Sequence, residues 1–169
     1  LKDKVPFSEI EFHVDGAIAD VASDVLVPGH TVTAPRLRIT GDQSRITLAG
    51  AGLLDDVLAD VSWTQPLGQG VGKASRLSGA ITLSPDLVAT LNIGLPPGSV
   101  AGEGRGDFTL DFAPGEPPAL RLRSDLEGLR LSLPELGWSK GAQTEGRLEL
   151  EGRLGTAARI DRLELQAAG

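Results

Sequence analysis

The segment GQGVGK, residues 68–73, is the stretch that comes nearest to known chemistry. A phosphate-binding loop needs two glycines, a lysine and a hydroxyl at fixed offsets. Backbone N–H groups and the ammonium then meet the anion, and the hydroxyl meets Mg²⁺. Here Gly68 and Gly72 stand one residue too close, and Ala74 occupies the place of the hydroxyl. The segment reads as a glycine-rich hairpin loop. Arg105-Gly106-Asp107 spells a tripeptide that adhesion ligands display on loop tips, but it lies inside a strongly alternating strand pattern and reads as coincidence. His13 falls on the charged face of a strand and His30 follows Pro28-Gly29 in a turn. Two isolated histidines in a chain without cysteine do not have metal-site spacing. Glu149 and Glu151 share a face, but Arg147 and Arg153 flank them there, so solvated ion pairing explains them better than acid–base work. There is no nucleophile elbow and no HExxH. The expectation is a non-enzyme with no catalytic residue, cofactor or metal.

The elements that would carry any other function are strands. SVAGEGRGDFTLDF, residues 99–112, alternates throughout: Val100, Gly102, Gly104, Gly106, Phe108, Leu110 and Phe112 against Glu103, Arg105, Asp107, Thr109 and Asp111. A period of two sends successive side chains to opposite faces, so this reads as one long strand with a charged and a bare face. The same pattern recurs. Ile10, Phe12 and Val14 share a face, as do Ile46 and Leu48, and Val57, Ala59, Val61 and Trp63. So do Leu77, Gly79, Ile81 and Leu83, and Gly146, Leu148, Leu150, Gly152 and Leu154. About ten strands fit, with short polar or Gly/Pro breaks that favour antiparallel meanders over βαβ crossovers.

The phase slips between Ala34 and Leu37 and again between Leu126 and Leu129, which predicts bends near Pro35 and near Glu127-Gly128. Bends and interior glycines curve a sheet. The glycines of the bare face either line its tightest curve or make room for large residues opposite. One segment differs. Ser84 is a good N-cap, Pro85 suits the first helical position, Asp86 the first turn, and Gly94 a helix end. This predicts a short helix near 85–92 capping one end of the apolar face.

The 169 residues suit a single domain, 1–169, with a real core. With 23 acidic against 16 basic residues the net charge is −7, which argues against nucleic acid and against lying flat on an anionic membrane. Aromatics make up only 4%, too few for sugar or single-strand stacking platforms or for the girdles of an outer-membrane barrel. The chain opens on Leu1 without a signal peptide or apolar span, and reads as an excised internal piece with any anchor outside it.

ITLSPDLVATLNIGLPPGSVAGEGRGDF and LRLRSDLEGLRLSLPELGWSKGAQTEGRLELEGRL, within residues 75–154, resemble the AsmA-like family, in particular its large YhdP-type members. The likeness lies in the capped helix, the glycine-bearing strand after it, and SDLEGLRLSLPELGWSK. It implies a periplasmic, inner-membrane-anchored protein of the Gram-negative envelope. It also implies a long β-groove, apolar inside, that would carry phospholipid acyl chains between the inner and outer membranes. It implies no catalytic residues, and flanking groove segments of the same chain as neighbours. The residue pattern agrees: Leu, Val, Ile, Ala and Gly make a lining that contacts acyl chains without directional bonds. The expected fold is all-β, a curved, twisted antiparallel sheet forming an apolar groove or half-open sandwich. Its expected lining includes Ile46, Leu48, Val100, Gly102, Gly104, Phe108, Leu110, Leu148 and Leu150. The alternative is a structural or protein-interaction β-sandwich module that packs dry.

Overall fold

A computed structural model describes residues 11–27, 29–68, 74–155 and 159–168. The chain is almost entirely antiparallel strand. A nine-stranded curved sheet follows chain order. It comprises β1 (His13–Ser23), β2 (Val32–Asp42), β3 (Arg45–Leu54), β4 (Val57–Pro66) and β5 (Ser75–Leu83). After a detour it continues through β7 (Gly104–Phe112), β8 (Ala119–Ser124), β11 (Gly146–Arg153) and β12 (Arg159–Ala167). The detours build a second sheet of three strands, β6 (Val100–Gly102), β9 (Leu129–Leu133) and β10 (Trp138–Lys140), with β9 in the middle. Among the described residues the large sheet does not close into a barrel. Ile10 of the expected first strand, and residues 69–73 of the expected hairpin loop, lie outside the described residues.

Alternation places one apolar row on the inner face of the whole large sheet. Gly16 faces Ile39, and the row continues through Leu48, Trp63, Leu77, Leu110 and Leu120 to Gly152 beside Ile160. The next row sets Gly50 beside Val61 and Gly79 beside Phe108, then runs to Leu122, Leu150 and Leu163. The outer face carries charges in register. Arg76 opposes Asp111, Arg123 opposes Glu149 and Arg121 opposes Glu151. Arg105-Gly106-Asp107 lies within β7, with Arg105 and Asp107 bonded at 3.1 Å on that outer face.

The bend near Pro35 is present. The β2–β3 register shifts between Thr33 and Arg38, which lets both Ala34 and Leu37 be buried. The helix is also present as α1, Pro85–Thr90, two residues shorter than expected. Ser84 Oγ accepts from Leu87 N at 3.2 Å, and Leu91 closes the C-terminus.

The long strand 99–112 is not one strand. It breaks at Glu103, with β6 in the small sheet and β7 in the large one. The break is steric. Gly102 has φ +83° and Gly128 has φ +81°, a region that L side chains disfavour. The two backbones approach so closely that a Cβ on Gly102 would clash with Gly128 O, and one on Gly128 would clash with Glu103 O. The expected bend at Glu127-Gly128 is thus a second change of sheet, made beside the first. The bare face there meets main chain.

α1 and the small sheet cover one end of the inner face. Val57, Leu83, Leu87, Leu126 and Leu129 form a buried cluster, with Val100, Leu131 and Leu148 packed against it. A second cluster joins Val27, from the β1–β2 connection, to Leu77 and Leu110, with Trp63, Phe108 and Leu120 around it.

Candidate functional site: a partly roofed apolar cavity

Between the covered end and the open sheet lies a cavity of about 420 Å³. Leu77, Phe108, Leu110, Leu122 and Leu150 form its floor, while Val27 and the α1 end, with Leu91 and Ile93, come in from above. Its volume is within the roughly 300–1,000 Å³ of small-ligand pockets. On the β12 side the apolar face continues uncovered. Ile160, Leu163 and Leu165 are 58, 57 and 41% exposed. Solitary exposed apolar side chains are ordinary, but these three sit on the inner face beside Gly152, Leu150 and Leu148 and extend the same rows.

The expected lining residues separate into three groups. Phe108, Leu110 and Leu150 line the cavity. Leu148, Val100 and Gly104 lie at the covered end. Leu148 and Val100 pack on the buried cluster, and a Cβ on Gly104 would fall 2.7 Å from Glu127 O. Gly102 belongs to the small sheet. Ile46 and Leu48 sit on β3 beyond the cavity wall, Leu48 in the same cross-sheet row as Leu110. Val27, Leu91 and Ile93 are wall residues that alternation does not reveal. Val27 and Ile93 lie in connections, where a period of two gives no signal, and Leu91 caps α1, on the apolar side of the predicted helix with Leu87.

The polar side chains of the wall are His30 and Asn92, while Arg153 and Arg159 border it from strand positions of the outer charged row, paired with Glu116 and Asp161. His30 Nδ1 lies 2.8 Å from Asp55 Oδ2, and Thr31 N donates to Asp55 Oδ1 at 2.8 Å. Together they tie the β1–β2 connection to the β3–β4 turn, where Asp55 has φ +50°. The Thr31 N–H, then the His30 hydrogen bond, hold the Asp55 carboxyl below its usual 3.8. A carboxyl with a lowered folded pKa stabilises the fold above its unfolded value, and that contribution disappears as pH falls through the folded value. Asp55→Asn should therefore lose less stability than the parent between about pH 5 and about pH 2. Urea midpoints at the two pH values measure this, and equal losses would show that the tie does not matter.

Glu149 and Glu151 are ion-paired on the outer face. Glu149 accepts from Arg147 at 2.7 Å and lies 3.4 Å from Arg123, while Glu151 lies 4.0 Å from Arg121. The Arg147 hydrogen bond first, and then the surrounding arginine charges, hold the Glu149 carboxyl below its usual range. The arginines leave the Glu149 side chain only 17% exposed, less open than the solvated strand face the alternation predicts. A carboxylate held ionised in this way is a poor proton donor at neutral pH. Among the described residues no three histidine, aspartate or glutamate side chains gather as a cation cage, and no helix is long and apolar enough to cross a membrane.

The chain matches no family model, no curated protein and no solved structure. The chemistry of the cavity therefore has to be argued from its own walls. They offer continuous apolar contact and few polar side chains.

Proposed function

We propose that this chain is an internal segment of an AsmA-like, bridge-type lipid transfer protein, whose apolar groove carries phospholipid acyl chains between the inner and outer membranes. The observation that carries this reading is the inner face: apolar rows in register across all nine strands, roofed over one part only, with a cavity between roof and floor. Acyl chains need such contact and no directional bonds. The charged outer face keeps the segment in water. Among the described residues β1 and β12 each pair on one side only, so flanking segments of the same chain would continue the sheet there. The full-length protein would be periplasmic with an inner-membrane anchor. The alternative, a dry structural module, draws on the close packing of α1 and the small sheet over Leu83, Leu126 and Leu129.

The two tryptophans permit a direct test. Trp63 packs beside Leu77 and Leu110 of the cavity floor, and Trp138 lies in the small sheet. With Trp138→Phe, phospholipid brominated on its acyl chains should quench the remaining Trp63. With Trp63→Phe, Trp138 should keep its emission. Undiminished Trp63 fluorescence, together with no phospholipid retained in native mass spectrometry, would establish the dry module.

A further inference from the structure

The β1–β2 connection joins two strands at one side of the large sheet, yet it does not stay there. Its Val27 packs on Leu77 of β5 and Leu110 of β7, with Leu54 of β3 and Val61 of β4 beside them. The connection therefore folds inward over the inner face and sets one valine into the wall of the cavity. Its hold there is slight. Among the described residues of the connection, 24–27 and 29–31, Val27 alone is buried, and Val25 is 79% exposed. Three hydrogen bonds fasten it to the β3–β4 turn, all at Asp55. Asp55 N donates to Thr31 O at 2.7 Å, and the Asp55 carboxylate meets Thr31 N and His30 Nδ1, each at 2.8 Å. α1 and the small sheet, by contrast, hold their end through Leu87, Leu126 and Leu129, all buried in one cluster.

Segments with few buried contacts, tied by hydrogen bonds near solvent, open locally while the rest of a fold stays closed. An acyl methylene gives Leu77 and Leu110 the same apolar contact that the valine gives, so a chain replaces Val27 there at little cost. We propose that the β1–β2 connection is a strap across the trough, latched at Asp55, whose Val27 lifts off Leu77 and Leu110 to admit an acyl chain. This rests on the groove reading and adds a gate to it. The covered end stays shut while the strap moves, because the two are held by separate clusters.

The chain has no cysteine, so Val27→Cys supplies a single thiol at a site 9% exposed. A water-soluble thiol reagent reaches it when the strap lifts. Adding Asp55→Ala should speed that reaction about tenfold, one charged hydrogen bond's worth. Leu129→Cys, at a site 2% exposed in the other cluster, reports opening of the whole fold, and Asp55→Ala should change its rate far less. Equal acceleration at both positions would overturn the strap, because the opening would then be global. So would an unchanged rate at Val27→Cys. In the Trp138→Phe protein, diacyl phosphatidylcholine with brominated chains should quench Trp63 about tenfold faster once Asp55→Ala is added. Quenching at the parent rate would overturn the gate and leave the groove reading intact, since lipid still enters. No quenching in either protein would overturn the groove reading, and the gate with it. If Asp55→Ala does not fold, His30→Ala, which removes one of the three bonds, carries both comparisons with a severalfold acceleration.

Discussion

Lys140→Met should cost the fold roughly 2–5 kcal/mol, although methionine fills nearly the same space. Lys140 is 1% exposed and is the only lysine among the described residues. Its Nζ donates to Leu126 O at 2.7 Å, Leu129 O at 2.9 Å and Gly141 O at 3.0 Å. An ammonium has three donors, and all three are used. The acceptors on Leu126 and Leu129 belong to the turn in which the chain leaves β8 for β9, where Leu126 takes φ +60°. Methionine would remove all three bonds from a charged donor inside the covered end, leaving Leu126 O and Gly141 O with only the backbone donors Leu129 N at 3.3 Å and Thr144 N at 3.2 Å, and bonds from a charged donor are worth more than neutral ones. The loss should appear in the urea midpoint at unchanged slope. A change below about 1 kcal/mol would show that water or the backbone replaces the ammonium freely.

Leu110→Asp should unfold the protein, whereas Leu163→Asp should leave stability within about 0.5 kcal/mol of the parent. Both residues point to the inner face. Leu110 is 3% exposed between Leu77 and Leu120, so its carboxylate would be buried without a partner, at a cost of several kcal/mol. Leu163 is 57% exposed on the edge strand, where a carboxylate stays in water. Circular dichroism and urea titration of the two variants decide the matter. Equal damage would mean that β12 is covered in solution and that the trough is closed on that side. The contrast also replaces a comparison that the alternation alone would suggest, a charge on Gly104. That position is packed against Glu127 and Leu129, so any side chain there damages the covered end whether or not lipid passes elsewhere.

The sequence by itself determined what alternation and capping chemistry can encode. The period of two assigned the faces of β3, β4, β5, β7 and β11. Ser84-Pro85-Asp86 started the helix, the slip around Pro35 marked a bend, and the Arg–Glu spacing on β11 announced ion pairs. These are local properties, decided within a few residues by where a Cβ points or which N–H a side chain can reach. The tertiary structure alone decided the rest. Gly102 looks like the other glycines of 99–112, and only the backbone of Gly128, brought beside it from a later turn, makes it the point where the strand leaves one sheet for another. Lys140 shares a face with Trp138 by alternation, a signal that could have marked it as inward. Its burial depends on carbonyls up to 14 residues away that no pattern places around it. The cavity arises similarly. Its floor was legible as alternating leucines, but its roof comes from Val27 and the residues after α1. Periodicity specifies which side of a strand is apolar; what covers that side depends on contacts between residues far apart in the chain.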